Sequence, residues 1–197
     1  MITIGITGGM GSGKSIVAAL LKVYGIPVYD ADSESKRLLL TSPTIRRGLT
    51  DLLGADIYSP DGTTLRRARM ASLIFAEPNL LARVNAIIHP EVGRDFDAWR
   101  ARLTTSVCAM ESAILFESGF DRRADLRLMV YAPEAIRLQR VMARDNATEA
   151  AARQRMQRQW PDERKIALSD AVITNDGQAA LIPQVEAFLK AYACAPL

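Results

Sequence analysis

Eight residues near the start of the chain, Gly8-Gly9-Met10-Gly11-Ser12-Gly13-Lys14-Ser15, fit the pattern G-x-x-x-x-G-K-[ST] without a mismatch. Each residue type has a task in holding phosphate. Glycines let the backbone turn tightly and bring its N–H groups onto phosphate oxygens. A helix starting behind them adds the positive end of its dipole. Lys14 is expected to reach the β- and γ-phosphates of a nucleoside triphosphate, and the Ser15 hydroxyl to ligate Mg²⁺. At ordinary amino-acid usage a chance match in a chain of this length is below about 1%.

Carboxylates come next. Asp30 and Asp32 stand two apart behind the short apolar run Ile26–Tyr29. Parallel strands deliver functional groups at their carboxyl ends, which places both acids on the side where the phosphate loop works. A carboxylate there can take a proton from a hydroxyl attacking the γ-phosphate, or hold Mg²⁺. Asp32 also precedes a helical stretch, where Asp is a favoured N-cap, and the two readings stand level. Glu111 closes another apolar run and is a second metal candidate beside Asp32. Glu117 follows Ile114-Leu115-Phe116, either buried near an acceptor or facing solvent.

Positive charge is concentrated late in the chain. Arg137, Arg140 and Arg144 recur on one helical face, and Arg153, Arg155 and Arg158 follow. Phosphoryl transfer needs positive charge at the γ-phosphate oxygens and exclusion of water, and an arginine-bearing lid supplies both on closing. An exposed basic face is the alternative. His89, the single histidine, reads as structural, and Trp99 and Trp160 read as packing residues.

The elements that must position these groups follow from periodicity. Met1–Thr7 reads as a buried parallel strand, Ser15–Tyr24 as a helix with Val17, Leu20, Leu21 and Tyr24 on one face, and Ile26–Tyr29 as a second strand. Residues 33–105 read as helices punctuated by Pro43, Gly54, Pro60-Asp61-Gly62, Pro78 and Pro90. This insertion is longer than a plain crossover requires and is expected to build a substrate-binding subdomain. Val107–Met110, Leu126–Tyr131 and Ala171–Thr174 are further strands; 134–165 and 178–192 are helical, with Pro133 opening the former. The fold expected is α/β: a P-loop kinase-like parallel sheet flanked by helices, with a helical substrate-binding insertion and a helical lid. The nucleotide-binding core takes 1–32, 106–133 and 166–197, the insertion 33–105 and the lid 134–165.

Composition agrees. At 197 residues and 49% hydrophobic, the chain can bury a core. No apolar run approaches a membrane span and no signal-peptide pattern opens the chain, so a cytoplasmic protein without a membrane partner is expected. Cys108 and Cys194 form no C-x-x-C pair and are expected to be reduced thiols. The net charge of +3 is small, and 20 of the 25 basic residues are arginine, which binds phosphate as a bidentate fork. No clustered basic stripe or nucleic-acid module is present, so no nucleic-acid partner is expected. The sequence sets no oligomeric state.

The ordered landmarks resemble the dephospho-CoA kinase family. Ile6 through Ser15 resembles its phosphate loop, and Asp30-Ala31-Asp32 its Asp-Ala-Asp motif. His89-Pro90 resembles its His-Pro pair in the CoA-binding helices. Leu115-Phe116-Glu117 resembles the end of its Pro-Leu-Leu-Phe-Glu motif, Arg140 and Arg144 its lid arginines, and Ser169 through Asn175 its closing Ala-Asp-x-Val-Ile-x-Asn segment. The resemblance implies transfer of the ATP γ-phosphate to the ribose 3′-hydroxyl of dephospho-CoA, the last step of coenzyme A synthesis. It implies Asp32 as general base, with Lys14 and Arg140 as the other catalytic groups. Nucleotide contacts are then expected from Gly8, Gly9, Gly11, Ser12, Gly13, Lys14, Ser15, Ile16, Arg144 and Asn175, the last near the adenine. Four positions depart from the family pattern: Ile16 replaces a usual threonine, Ala113 a usual proline, Glu111 a common Asp, and Lys36 a frequent arginine.

Two other readings compete. A nucleoside monophosphate kinase fits the insertion and lid equally well, but not the Asp-Ala-Asp and His-Pro landmarks. A GTP-hydrolysing switch would carry Asn-Lys-x-Asp, and the chain has no Asn-Lys pair.

Overall fold

The structure, a computed structural model, describes residues 1–77 and 79–193; Pro78 and Cys194 lie outside the described residues. The chain divides into two compact units, one of residues 1–30 with 104–197, the other of residues 31–103.

The first unit is built on a five-stranded parallel sheet. Its strands are β1 (Ile2–Thr7), β2 (Val28–Asp30), β3 (Val107–Glu111), β4 (Leu126–Tyr131) and β5 (Ala171–Thr174), in the order β2-β3-β1-β4-β5. The central β1 is buried along nearly its whole length, as a strand covered on both faces must be. Ile4 and Ile6 join Leu128, Val130, Val107, Ala109 and Ile173 beneath helix α1 (Lys14–Val23), which contributes Val17, Ala18 and Leu21 to the same core. On the other face of β1, any Cβ at Gly5 would sit 2.9 Å from both Ala124 Cβ and Leu115 Cδ2, so glycine is required by close packing. The sheet register puts Asp30 opposite Glu111 at the carboxyl ends of β2 and β3.

The second unit is helical: α2 (Ala31–Thr41), α3 (Pro43–Leu53), α4 (Arg67–Ala76) and α5 (Leu80–Arg100). Its apolar interior includes Leu38, Ile45, Leu49, Val84, Ile88, Val92 and Phe96. Ser42 caps α3, its Oγ accepting from the Ile45 N–H at 3.3 Å, with Pro43 at the first helical position. Arg37 Nη2 donates to both oxygens of Asp95, each at 2.7 Å, tying α2 to α5.

Two sequence expectations need correction here. Pro90 does not punctuate the helices; it lies inside the 21-residue α5. Its missing N–H and its ring disfavour that position, yet Ile88, Val92, Gly93 and Phe96 are buried around it, and tertiary packing carries the helix through. Asp32 is not the N-cap of α2, because the helix already begins at Ala31 and Asp32 sits in its first turn.

The remaining helices belong to the first unit: α6 (Glu134–Asp145), α7 (Glu149–Met156), α8 (Asp162–Ala167) and α9 (Leu181–Phe188). Thr148 caps α7 through its side chain, accepting from Ala151 N–H at 3.3 Å, and residues 157–161, ending in Trp160-Pro161, separate α7 from α8. Among the described residues no helix is long and apolar enough to cross a membrane.

Candidate active site

The loop between β1 and α1 takes the shape that its glycines permit. Gly11 and Gly13 have φ of +83° and +89°, values that a side chain would strain. The turn is closed by the Ser12 N–H donating to Gly9 O at 2.9 Å. Four glycines face neighbours at contact distance. A Cβ on Gly8 would lie 2.5 Å from Val130 O, and one on Gly11 would lie 2.5 Å from Arg137 O. One on Gly9 would lie 2.5 Å from Arg137 Nη1, and one on Gly13 would collide with the Asn175 side-chain amide. The hydroxyls of Thr7, at the end of β1, and of Ser12, in the loop, are buried with no hydrogen-bond partner among the described residues.

Lys14 stands at the first position of α1. Its Nζ lies 3.1 Å from Glu111 Oε1, and the two side chains are 19% and 10% exposed. Glu111 is therefore an ion-pair partner of the loop lysine. Ser15 and Ile16, in the next two positions, are exposed.

Asn175, one residue past β5, closes the loop from the other side. Its Nδ2 donates to Ser12 O at 2.8 Å, and its own N–H donates to Tyr131 O at 2.7 Å. Arg140 on α6 joins the same cluster, its Nη1 donating to Asn175 O at 3.0 Å and approaching Gly11 O at 3.4 Å. Residues 11, 12, 140 and 175 thus meet in one place.

The other arginines of the stretch behave differently. Arg137 is buried: its Nε donates to Ala132 O at 3.0 Å and its Nη2 lies 2.7 Å from Asp162. Burial pushes the Asp162 carboxyl above its ordinary value, opposed by the charges of Arg137 and Lys165. Arg144 is 61% exposed and turned onto Asp145 at 2.7 Å; it is not brought to the loop in this conformation. Asp145 also accepts from Arg155, and the two arginines hold its carboxyl below the ordinary range. Arg153 pairs with Glu134 and Glu149. Trp160 lies under the Arg164 guanidinium, 3.2 Å from the ring centroid, and lines a cavity of about 440 Å³ with Gly9, Arg137, Arg153, Gln159 and Asp162.

Glu117 is partly buried and turned onto the protein. Its Oε1 accepts from the Trp160 N–H at 3.0 Å and from Lys165 Nζ at 2.9 Å. Lys165 is fully buried and also donates to Ala113 O at 2.8 Å. Sequence reasoning missed Lys165, Gln159 and Asp162. The one signal available was a lone lysine in an arginine-rich stretch, and burial is invisible in that.

In the second unit, Asp32 is partly buried in the first turn of α2, two residues beyond the end of β2. His89 is partly buried in α5, and burial pushes its imidazole below the usual value. Cys108 is buried in β3, its Sγ 3.8 Å from Thr3 Oγ1.

A glycine-rich loop between the central strand of a parallel sheet and its helix, with a lysine at the loop's end, defines a P-loop nucleotide-binding fold. Comparison with known proteins then identifies the kind. A family profile for dephospho-CoA kinase matches residues 2–180, and the chain belongs to that family. A dephospho-CoA kinase of Porphyromonas gingivalis is 49% identical over 189 residues, covering 94% of this chain and 91% of its relative. The enzyme of that name from Chlorobaculum tepidum is 41% identical over 182 residues, covering 89% of this chain and 87% of its own. A crystal structure of a Thermus thermophilus protein superposes with a TM-score of 0.82 at 34% identity, covering 98% of this chain and 96% of that one. Dephospho-CoA kinase from Campylobacter jejuni shares the fold, with a TM-score of 0.65 at 17% identity, covering 97% of this chain and 95% of that one.

Proposed function

We propose that this chain transfers the γ-phosphoryl group of ATP to the ribose 3′-hydroxyl of dephospho-CoA, forming coenzyme A and ADP in the cytoplasm. The observation that supports this most is the convergence on the phosphate loop. Asn175 holds Ser12 O, and Arg140 holds both Asn175 O and the loop, so family landmarks far apart in sequence meet at the glycine-rich loop.

In this reading the 3′-oxygen bonds to the γ-phosphorus as the β–γ bridging bond breaks, and Asp32 takes the hydroxyl proton. Lys14 turns from Glu111 toward the β- and γ-phosphates as they arrive, and Arg140 adds charge beside them. Gly8, Gly9, Gly11, Ser12, Gly13, Ser15 and Ile16 line the phosphate path. Asn175 stands near the adenine, and Arg144 approaches when helices of 134–165 close as a lid. Residues 33–105 supply the CoA-binding surface.

Mg²⁺ fits the donor set only as a partner of the triphosphate. Among the described residues no group of three acidic, histidine or cysteine side chains could hold an ion, and Mg²⁺ is commonly held by one or two protein oxygens together with phosphates. Ser15 would supply one oxygen, with Asp32 and Glu111 as further candidates. The ion's chemistry there is neutralisation of charge on the β- and γ-oxygens.

Asp32→Asn tests the base assignment. It keeps shape and helix position, so the melting temperature should hold, while turnover should fall by about 10²- to 10⁴-fold. Asp30→Asn is the control and should be less damaging. Retention of most turnover by Asp32→Asn would remove the carboxylate base from the mechanism.

A further inference from the structure

We propose that Gln159 is a positioning residue that fixes the crest of the phosphate loop for triphosphate, an inference that rests on the kinase reading above. Met10 occupies that crest between Gly9 and Gly11. Its N–H donates to Gln159 Oε1 at 2.7 Å, while Gln159 Nε2 donates to Ala113 O at 3.1 Å. One amide therefore uses both ends, spanning from the segment after β3 to the loop.

The loop needs such a restraint. Glycine on both sides of Met10 widens the range of backbone angles open to this stretch, Gly11 already sits at φ +83°, and Arg137 Nη1 reaches the far side of the residue, Met10 O, only at 3.5 Å. The N–H groups of a phosphate loop work only when their directions are set before the ligand arrives. A hydrogen bond at Met10 N–H selects one orientation of that peptide, and with it the direction in which the chain enters Gly11.

Gln159 is itself held in place by other groups. The next residue, Trp160, donates its N–H to Glu117 Oε1 at 3.0 Å. Fully buried Lys165 binds Glu117 at 2.9 Å and Ala113 O at 2.8 Å. Pro161 O accepts from Lys165 N–H at 3.2 Å. These bonds anchor the stretch between α7 and α8 without help from the Gln159 side chain. Its amide is thus spare as an anchor, and its remaining task is the loop. Because Gln159 lies on the α7–α8 connection, any shift of that connection moves the acceptor of Met10 N–H as well. That gives the arginine-bearing helices a direct mechanical link to the phosphate loop.

The test is Gln159→Met, which keeps length and loses both hydrogen bonds, measured by ATP and AMP titrations and by melting. AMP lacks the phosphates that reach the loop crest, so it reports the rest of the nucleotide site. The expected result is ATP binding weakened by about tenfold, the effect of one misdirected or unpaired polar group, with AMP binding unchanged within about twofold. The KM for ATP should rise with it, and the KM for dephospho-CoA at saturating ATP should stay. The melting temperature should change little. Equal weakening of ATP and AMP, or a melting loss that accompanies both, would make Gln159 merely structural and overturn the proposal. Unchanged ATP binding would overturn it too. Gln159→Asn, too short to span Met10 and Ala113, gives the same reading if the methionine variant does not fold. A wild-type protein that bound ATP no better than AMP would instead show failure of the kinase reading, and is seen without any variant.

Discussion

Removing the loop lysine should damage the protein twice, and the two effects can be separated. Lys14 Nζ and Glu111 Oε1 stand 3.1 Å apart with both side chains mostly buried. At an effective dielectric of about 20 the gross attraction is about 5 kcal/mol. Much of that is offset by the cost of desolvating the two charges. Lys14→Met removes the cation and leaves the Glu111 carboxylate buried without its partner. Allowing for the water that reaches it, the loss should be about 2 kcal/mol. For a chain of this length, that lowers the melting temperature by about 4–8 °C. Lys14→Met/Glu111→Leu removes the stranded charge and should recover most of this loss. Activity should follow another course: ADP release coupled to dephospho-CoA should fall by about a hundredfold or more in both variants, because neither has a cation for the β- and γ-phosphates. A single variant that melts like the wild type, or a double variant that melts no higher than the single, would refute the ion-pair argument. Wild-type turnover in either would refute the role of Lys14.

Two further outcomes are expected. Arg140→Ala should lower kcat, raise the KM for ATP, or do both, since its guanidinium joins Gly11 O and Asn175 O; Arg100→Ala, on α5, should do much less, and equal kinetics for the two would make the Arg140 contact incidental. His89 gives a pH dependence. Burial lowers its folded-state pKa below the ordinary 6.5, so its contribution to stability is present above that value and is lost as pH falls through it toward the lowered one. Between about pH 7.5 and 5.5 the wild type should therefore lose more melting temperature than His89→Gln, and parallel curves would contradict this.

The fold was legible where local pattern and chemistry coincide. Glycines, a lysine and a hydroxyl at fixed spacing require a strand before them and a helix behind, and β1 and α1 are there. Apolar runs with acids at their ends read as parallel strands, and Asp30 and Glu111 do close β2 and β3 side by side. Punctuation was less reliable. Pro90 breaks helix propensity, but the buried side chains around it outweigh that local preference. Asp32 stands before a helical stretch as a cap would; the helix starts at buried Ala31, directly behind β2, a boundary that no periodicity marks. The arginine stripe illustrates a third kind of loss. Spacing puts Arg137, Arg140 and Arg144 on one face, but their partners come from Asp162, Asn175 and Asp145, and sequence spacing says nothing about which is buried, which meets the loop and which faces solvent. The Gln159, Lys165 and Glu117 contacts join residues more than forty apart, and no local signal reports them.

The most direct test of the account is phosphoryl transfer by the purified chain with ATP and a panel of acceptors: dephospho-CoA, nucleoside monophosphates and shikimate. ADP release and the mass of the phosphorylated acceptor would be followed together. Dephospho-CoA should be preferred by about a hundredfold or more in kcat/KM, since a site that hydrogen-bonds its own substrate rejects acceptors lacking the matching groups. The product should carry the new phosphate on the ribose 3′-oxygen. Faster transfer to a nucleoside monophosphate, or ATP hydrolysis with no acceptor phosphorylated, would contradict the account.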